Sequence, residues 1–442
     1  MQRLLVLVAA ILLAVPAFAL AAPSRFDTGT QDPLEFPEQD PGGAYQAARG
    51  EGMRFIRLPI PWSVIAGARP ANPTDPDDPH YAWGRVDSRL SPVFNHGLTP
   101  IIAVFAPPGW SHAGSRLTTN PGDFGDFMKA FARRYSGGSH PRVRYWQIWN
   151  EPNLRMFLDD SAARYRALVN AGYSAVKSVH SDNVVIAGGL APFSDPENKY
   201  GIAPLPYMRS VLKAKVSFDI WSHHPYTSGG PNHHAELAGD ASLGDLPEMR
   251  RVLVAARKAG RIRSTRFWVT EFGWDSKPPD PGGVPLATHA RWTAEAMYRM
   301  WQTGIDTMIW FKLRDDPFKG DWGSNFDGGI FLNTTALYSN EQRKPAAEVL
   351  RFPFSAVPEG GRVSVWGRTP RSRGGKVTIE MAKGGGWVSI AKVNAGSHGI
   401  FRLKLNGRRG TTLRARVAGS PASYAFKAVP TKDVPVRAFG GP

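Results

Sequence analysis

Val143-Arg144-Tyr145-Trp146-Gln147-Ile148-Trp149-Asn150-Glu151-Pro152-Asn153 is an apolar, aromatic run that breaks off at an acid and a proline. Val143 to Trp149 reads as a buried strand, so the carboxylate of Glu151 stands where a strand gives way to a loop. A second stretch behaves alike, with Arg266-Phe267-Trp268-Val269-Thr270 running out into Glu271-Phe272-Gly273-Trp274. In a parallel barrel every strand delivers its C-terminal residue to one rim, which would place the two glutamates in a shared mouth.

The count of such strands decides the fold. Going outward from Val143, short apolar runs occur at Phe55–Ile60, Pro100–Phe105, Val184–Ala187, Phe218–Ser222, Phe267–Thr270 and Thr307–Phe311. An eighth must come first, and Arg25-Phe26-Asp27-Thr28-Gly29 is the only place for it, with a weak apolar signal. Between them lie segments of helical period. Ser161–His180 carries Tyr165, Leu168, Val169, Val176 and Val179 on one stripe. Asp245 with Glu248 three residues on has the pattern of a capping box, and Ala287–Trp301 and Asn340–Phe352 complete the series. The expected fold class is α/β, a (β/α)8 TIM barrel with enlarged loops. A doubly wound open sheet is the alternative, weakened because neither Gly-x-Gly-x-x-Gly nor the phosphate-loop lysine pattern is present.

Beyond Phe352 the texture changes to short runs at near-regular spacing, Arg362–Trp366, Val377–Met381, Trp387–Val393, Ile400–Leu405, Leu413–Val417 and Ser423–Phe426, separated by glycine-rich turns. These predict a small all-β sandwich. The net charge of +17 is concentrated there, since 17 Lys and Arg face three acids from Arg351 onward. Period two is expected to send Arg402, Lys404, Arg414 and Arg416 to one outer face, a candidate surface for an acidic cell-wall or uronate polymer. No nucleic-acid motif accompanies the charge, and no nucleic-acid partner is expected. At the other end, Arg3 leads an apolar run closed by Pro16 and small residues, the pattern of a secretory signal peptide. The expected organisation is therefore a signal peptide over 1–21, a catalytic domain over 24–352, a basic sandwich over 357–430 and a tail over 431–442. The mature protein would be secreted, with no membrane span after signal removal. Having no cysteine, it must draw its stability from its core.

Two carboxyl groups across a barrel mouth suit glycoside hydrolysis, one protonating the leaving oxygen and the other attacking the anomeric carbon. Trp149-Asn150-Glu151-Pro152 and Thr270-Glu271-Phe272-Gly273-Trp274 resemble the two catalytic signatures of the retaining glycoside hydrolases with a (β/α)8 barrel, the clan containing families 5 and 39. The resemblance implies Glu151 as acid/base, Glu271 as nucleophile and Asn150 as a hydrogen-bond donor to the sugar 2-hydroxyl. It further implies that Arg57 keeps the nucleophile ionised, that His224 and Tyr226 of His224-Pro225-Tyr226 adjoin it, and that Trp310 lies beneath the sugar. The substrate would be a poly- or oligosaccharide. A carbohydrate-binding protein without turnover is the competing class, and its hallmark would be replacement of one glutamate.

Trp62, Trp110, Trp274 and Trp322 fall on expected rim loops as candidate sugar platforms, whereas Trp146, Trp221 and Trp268 lie within strands and are expected in the core. His223 and His224 alternate across a strand and do not readily share a metal with His233-His234, and Ser111-His112 lacks the Gly-x-Ser-x-Gly elbow. No cofactor or metal is expected.

Overall fold

The computed structural model describes residues 22–33, 41–112, 118–159, 161–195, 197, 199–334 and 342–437 of the chain. The expected signal peptide lies outside them. Among the described residues, eight parallel strands close into a barrel in chain order. They are β1 (Asp27–Gln31), β2 (Phe55–Pro61), β3 (Thr99–Phe105), β4 (Tyr145–Ile148), β5 (Val184–Leu190), β6 (Ile220–His223), β7 (Phe267–Val269) and β8 (Ile305–Phe311). Helices follow them on the outside, among them Pro121–Arg134, Ala162–Val179, Leu246–Lys258 and Leu286–Gln302. Closure excludes the open doubly wound sheet.

Alternation along each strand divides the buried side chains into two cores. Phe55, Ile101, Ile186, Ile220, Trp268 and Ile309 fill the barrel interior, with Tyr145 and Val184 against them. Trp146 and Trp221 face the other way, into the layer beneath the helices. All three tryptophans are buried as expected. The weak signal of β1 has a steric cause, because a Cβ on Gly29 would lie 2.5 Å from the Phe55 carbonyl oxygen and 2.7 Å from Ile309 Cδ1. A bulky apolar strand would not fit there.

Helix starts are fixed by side chains. Asn120 caps Pro121–Arg134 by accepting from Gly122 N at 2.7 Å, and Ser161 caps Ala162–Val179 by accepting from Arg164 N at 3.2 Å. The capping box before Leu246–Lys258 joins Ser242 and Asp245, one turn earlier than Asp245 and Glu248 suggested.

The C-terminal region forms two antiparallel sheets from β9 (Phe354–Glu359), β10 (Arg362–Arg368), β11 (Gly375–Lys383), β12 (Gly386–Ala395), β13 (Ile400–Leu405), β14 (Thr412–Arg416) and β15 (Phe426–Lys427). One has the order β9-β10-β13, the other β12-β11-β14-β15. The expected boundary at residue 357 falls inside β9. Trp366 on β10 is fully buried, edge-on to Phe26 at 5.6 Å and close to Tyr298 and Trp301. Buried Arg368 donates to the carbonyls of Phe26 and Leu350 at 3.0 and 2.8 Å. Trp366→Ala is accordingly expected to lower stability by about 3–5 kcal/mol, the cost of emptying a large aromatic site. The check is the shift in the midpoint of denaturant unfolding.

The four cations expected on one face do not share it. Arg402 and Lys404 lie on β13 and Arg414 and Arg416 on β14, in different sheets, because two sheets rather than one carry these strands. Arg414 and Arg416 are moreover paired with Glu380 at 2.7 and 3.0 Å, and Arg414 stacks over Trp387. The single basic surface for an acidic polymer is therefore not formed. Residues 431–437, within the expected tail, are bonded to the barrel. Thr431 donates to Glu295, Asp433 bonds Gly230 N and His233, and Arg437 pairs with Asp280 at 2.6 Å. They fasten this segment to the loops after β6 and β7 and to the helix Leu286–Gln302.

Candidate active site

The ends of β4 and β5 are set by one buried hydroxyl. Tyr165 OH donates to the Ile148 carbonyl at 3.0 Å and accepts from Gly188 N at 2.8 Å, locking the helix Ala162–Val179 to both strands. Beyond Ile148 the backbone turns sharply, with φ of 71° at Trp149 and 42° at Glu151, a left-handed conformation that side chains rarely adopt. The Trp149 ring goes outward against Phe124 and donates to the Phe157 carbonyl at 2.9 Å, while Glu151 N donates to the Gly189 carbonyl at 2.9 Å. The turn releases Asn150 and Glu151 into the barrel mouth.

Glu271 follows β7 on the opposite side. One carboxylate oxygen of each glutamate and a ring nitrogen of His224 lie within 4.8 Å of one another. Both side chains are nearly buried, 14% and 11% exposed. Arg57, on β2 and fully buried, bridges the site: it donates to Glu271, to Asn150 Oδ1 at 2.8 Å, to Gln147 Oε1 at 2.9 Å and to Gln31. Tyr226 OH donates to the other oxygen of Glu271 at 3.1 Å. His224 Nδ1 lies 2.9 Å from Glu151, and its Nε2 lies 3.1 Å from Thr270 Oγ1.

These surroundings drive the two carboxyls apart. Burial is the largest influence on Glu151 and raises it above the ordinary carboxylate value; Glu271 adds to the rise, against the opposing pull of His224 and Arg57. Burial acts on Glu271 too, but His224, Arg57 and the Tyr226 hydrogen bond outweigh it, and Glu271 lies below the ordinary value. Burial beside the two glutamates raises the Tyr226 phenol, so it stays a donor. The two carboxyls are thus shifted in opposite directions, the arrangement that suits one as proton donor and the other as its ionised partner.

Glu151, His224 and Glu271 together offer the ligand atoms a metal needs. The guanidinium of Arg57 against Glu271 and Asn150 already supplies the positive charge there, which suits acid–base chemistry better than a second cation. The other histidines part ways. His223 bonds the Ala241 carbonyl at 2.7 Å, His233 bonds Ser228 and Asp433, and His234 bonds Asp245.

A cavity of about 400 Å³ opens over the pair, with Asn150, Glu151, Tyr226 and Glu271 in its wall. Five expected sugar contacts are not in that wall. Trp310 is fully buried, faces outward between Phe272 and His289, and donates to the Gly328 carbonyl at 2.8 Å. Phe311, the next residue, faces the cavity instead, because neighbours on a strand point to opposite sides. Trp274 is buried against Phe272 and Trp292. Trp110 packs edge-on to Trp62, beneath Arg69, and donates to the Ala66 carbonyl. Trp62 is buried, and Trp322 packs on Phe318, so neither is a wall residue. Sequence reasoning missed Gln31, Gln147 and Thr270; the signal available for Gln147 was a polar residue inside an otherwise apolar strand.

A closed parallel barrel with two glutamates facing each other at its C-terminal rim is the architecture of a glycoside hydrolase, and a glycosidase is what this enzyme is. The chain belongs to glycosyl hydrolase family 5: the family model described as cellulase (glycosyl hydrolase family 5) matches residues 38–311. Solved structures share its fold. A family 39 glycoside hydrolase from the gut symbiont Bacteroides cellulosilyticus WH2 superposes with a TM-score of 0.56 at 16% identity, covering 87% of this chain and 80% of that one. The family 39 enzyme from Xanthomonas axonopodis pv. citri gives 0.53 at 14% identity over 88% and 93%. A family 39 β-xylosidase from Caulobacter crescentus gives 0.53 at 14% identity over 88% and 98%. No curated protein sequence matches the chain. No helix among the described residues is long and apolar enough to cross a membrane.

Proposed function

We propose that the enzyme is a secreted, retaining glycosidase that cleaves O-glycosidic bonds of a poly- or oligosaccharide by double displacement. The observation that carries this reading is the close, oppositely tuned carboxyl pair. One oxygen of each carboxyl lies within 4.8 Å of the other, a closeness that supports direct attack on the sugar by one of them over attack by an inline water. Glu271, held ionised by Arg57 and Tyr226, bonds to the anomeric carbon as the glycosidic C–O bond breaks, and protonated Glu151 gives its proton to the departing oxygen. Glu151, now a carboxylate, takes a proton from water, whose oxygen attacks the anomeric carbon and releases Glu271. Asn150, fixed by Arg57 at 2.8 Å, presents its amide to the sugar. Export rests on the leader-like run over 1–21, and recovery of the shortened chain from culture medium tests it.

The pair predicts a bell-shaped dependence of kcat/KM on pH. Activity falls at low pH as Glu271 is protonated, and this limb lies below the usual carboxylate range because its value is lowered. It falls at high pH as Glu151 ionises, and this limb lies above that range because its value is raised. Rates on a panel of aryl glycosides across pH provide the check. They also identify the sugar, and failure to hydrolyse any member would count against the reading.

A further inference from the structure

The described polar residues lining the cavity are Gln31, Asn150, Glu151, Tyr226 and Glu271, and the side from which a leaving group departs is otherwise apolar. Proton delivery by Glu151 requires the leaving oxygen to sit beside it, so the leaving group extends along the loops after β3, β4 and β5. The described wall residues on those loops include Phe105, Leu154, Met156, Phe157, Pro192 and Phe193. Apart from Glu151 and Asn150, none of the described wall residues of those loops has a polar side chain. Several backbone amides are also occupied: Leu154 N donates to the Glu151 carbonyl, Phe157 N to the Leu154 carbonyl and Ala191 N to Asn153 Oδ1, while Pro192 has none. Met156 is held at the mouth with 69% of its surface exposed, although it is large and apolar. An apolar wall beside a few convergent polar groups marks a ligand surface.

A sugar leaving group would meet no polar side chain on the described part of this wall beyond Asn150 and Glu151, whereas an apolar group would gain from the burial. Resting on the two-glutamate reading above and narrowing its substrate, we propose that the bond preferred is the one joining an oligosaccharide to an apolar alcohol rather than one between two sugars, so that the natural substrates are oligosaccharide glycosides of lipid-like or aromatic aglycones. Methionine at the lip, unbranched and adaptable, fits an occupant of variable shape.

The test is a series of methyl, n-octyl and benzyl glycosides of the sugar found above, with the disaccharide that places a second sugar in the same position. Leaving alcohols in this series are similarly poor, so burial and not leaving-group acidity decides the order. The proposal predicts that kcat/KM rises at least about 10-fold from methyl to n-octyl or benzyl, well short of the gain from fully burying each methylene. Both should exceed the disaccharide, and Met156→Gln should reduce the octyl-to-methyl ratio chiefly through KM. An octyl preference assigns lipid-like aglycones and a benzyl preference aromatic ones. A flat series, a preferred disaccharide, or a ratio untouched by Met156→Gln would overturn the proposal. The glycosyl fluoride of the same sugar, which carries no aglycone, separates the two readings: its hydrolysis depends on Glu271 whatever the aglycone result.

Discussion

Replacing Glu271 with Ala is expected to lower kcat/KM on every substrate by about 10⁵-fold, the scale of loss when a covalent nucleophile is removed. Among the described residues, no carboxyl group other than Glu151 lines the cavity to take over. The carboxyl of Glu151 is shifted up where that of Glu271 is shifted down. The change also strands Arg57, which is fully buried and loses its anionic partner, while its bonds to Asn150, Gln147 and Gln31 persist. Breaking a buried ion pair typically costs about 3–5 kcal/mol, so the variant must be shown to be folded by its unfolding curve. Glu271→Gln keeps the hydrogen-bonding shape and separates the two effects: it should retain more stability than the alanine variant and be equally inactive.

Glu151→Ala should behave differently, and the difference identifies its role. With an alkyl leaving group, which needs a proton to depart, the rate is expected to fall by about 10³-fold. With a glycosyl fluoride or dinitrophenyl glycoside, which does not need one, the first step survives and the covalent intermediate accumulates because no base activates water. Added azide needs no base, so it should restore turnover and yield the glycosyl azide with the substrate's anomeric configuration. The alkaline limb of the pH profile, which reports ionisation of Glu151, should disappear in this variant. Equal losses on good and poor leaving groups, with no azide effect, would show that Glu151 only shapes the site.

Most of the barrel was legible because its strands are buried on both faces and therefore read as short continuous apolar runs between helical stretches. Where that signal failed, a local cause is visible. The Gly29 position in β1 admits no larger side chain, so the strand is polar and small. The two glutamates, Asn150, Arg57, His224 and Tyr226 could be placed from their positions at strand ends or within strands. The aromatic residues could not, because a run buried on both faces carries no mark of which side is the cavity. Trp310 and Phe311 are adjacent and both apolar, and only the barrel register, with Gln31 opposite Phe311, decides that Phe311 faces the mouth. The loop tryptophans misled for a related reason: their rings were used to pack the enlarged loops on each other, Trp62 against Phe127 and Trp274 against Trp292. The C-terminal pattern gave strands but not sheet membership, which long-range pairing settles. That is why four alternating cations looked like one face and proved to be two.

The central claim is that Glu271 forms a bond to the sugar. A 2-deoxy-2-fluoro glycosyl fluoride of the accepted sugar slows both steps but departs readily, so it should inactivate the enzyme with time and leave one sugar on it. Peptide mapping by mass spectrometry is the direct measurement. An adduct on the peptide bearing Glu271, absent from Glu271→Gln, is the predicted result; an adduct on any other residue, or hydrolysis with inversion and no adduct, would contradict the account.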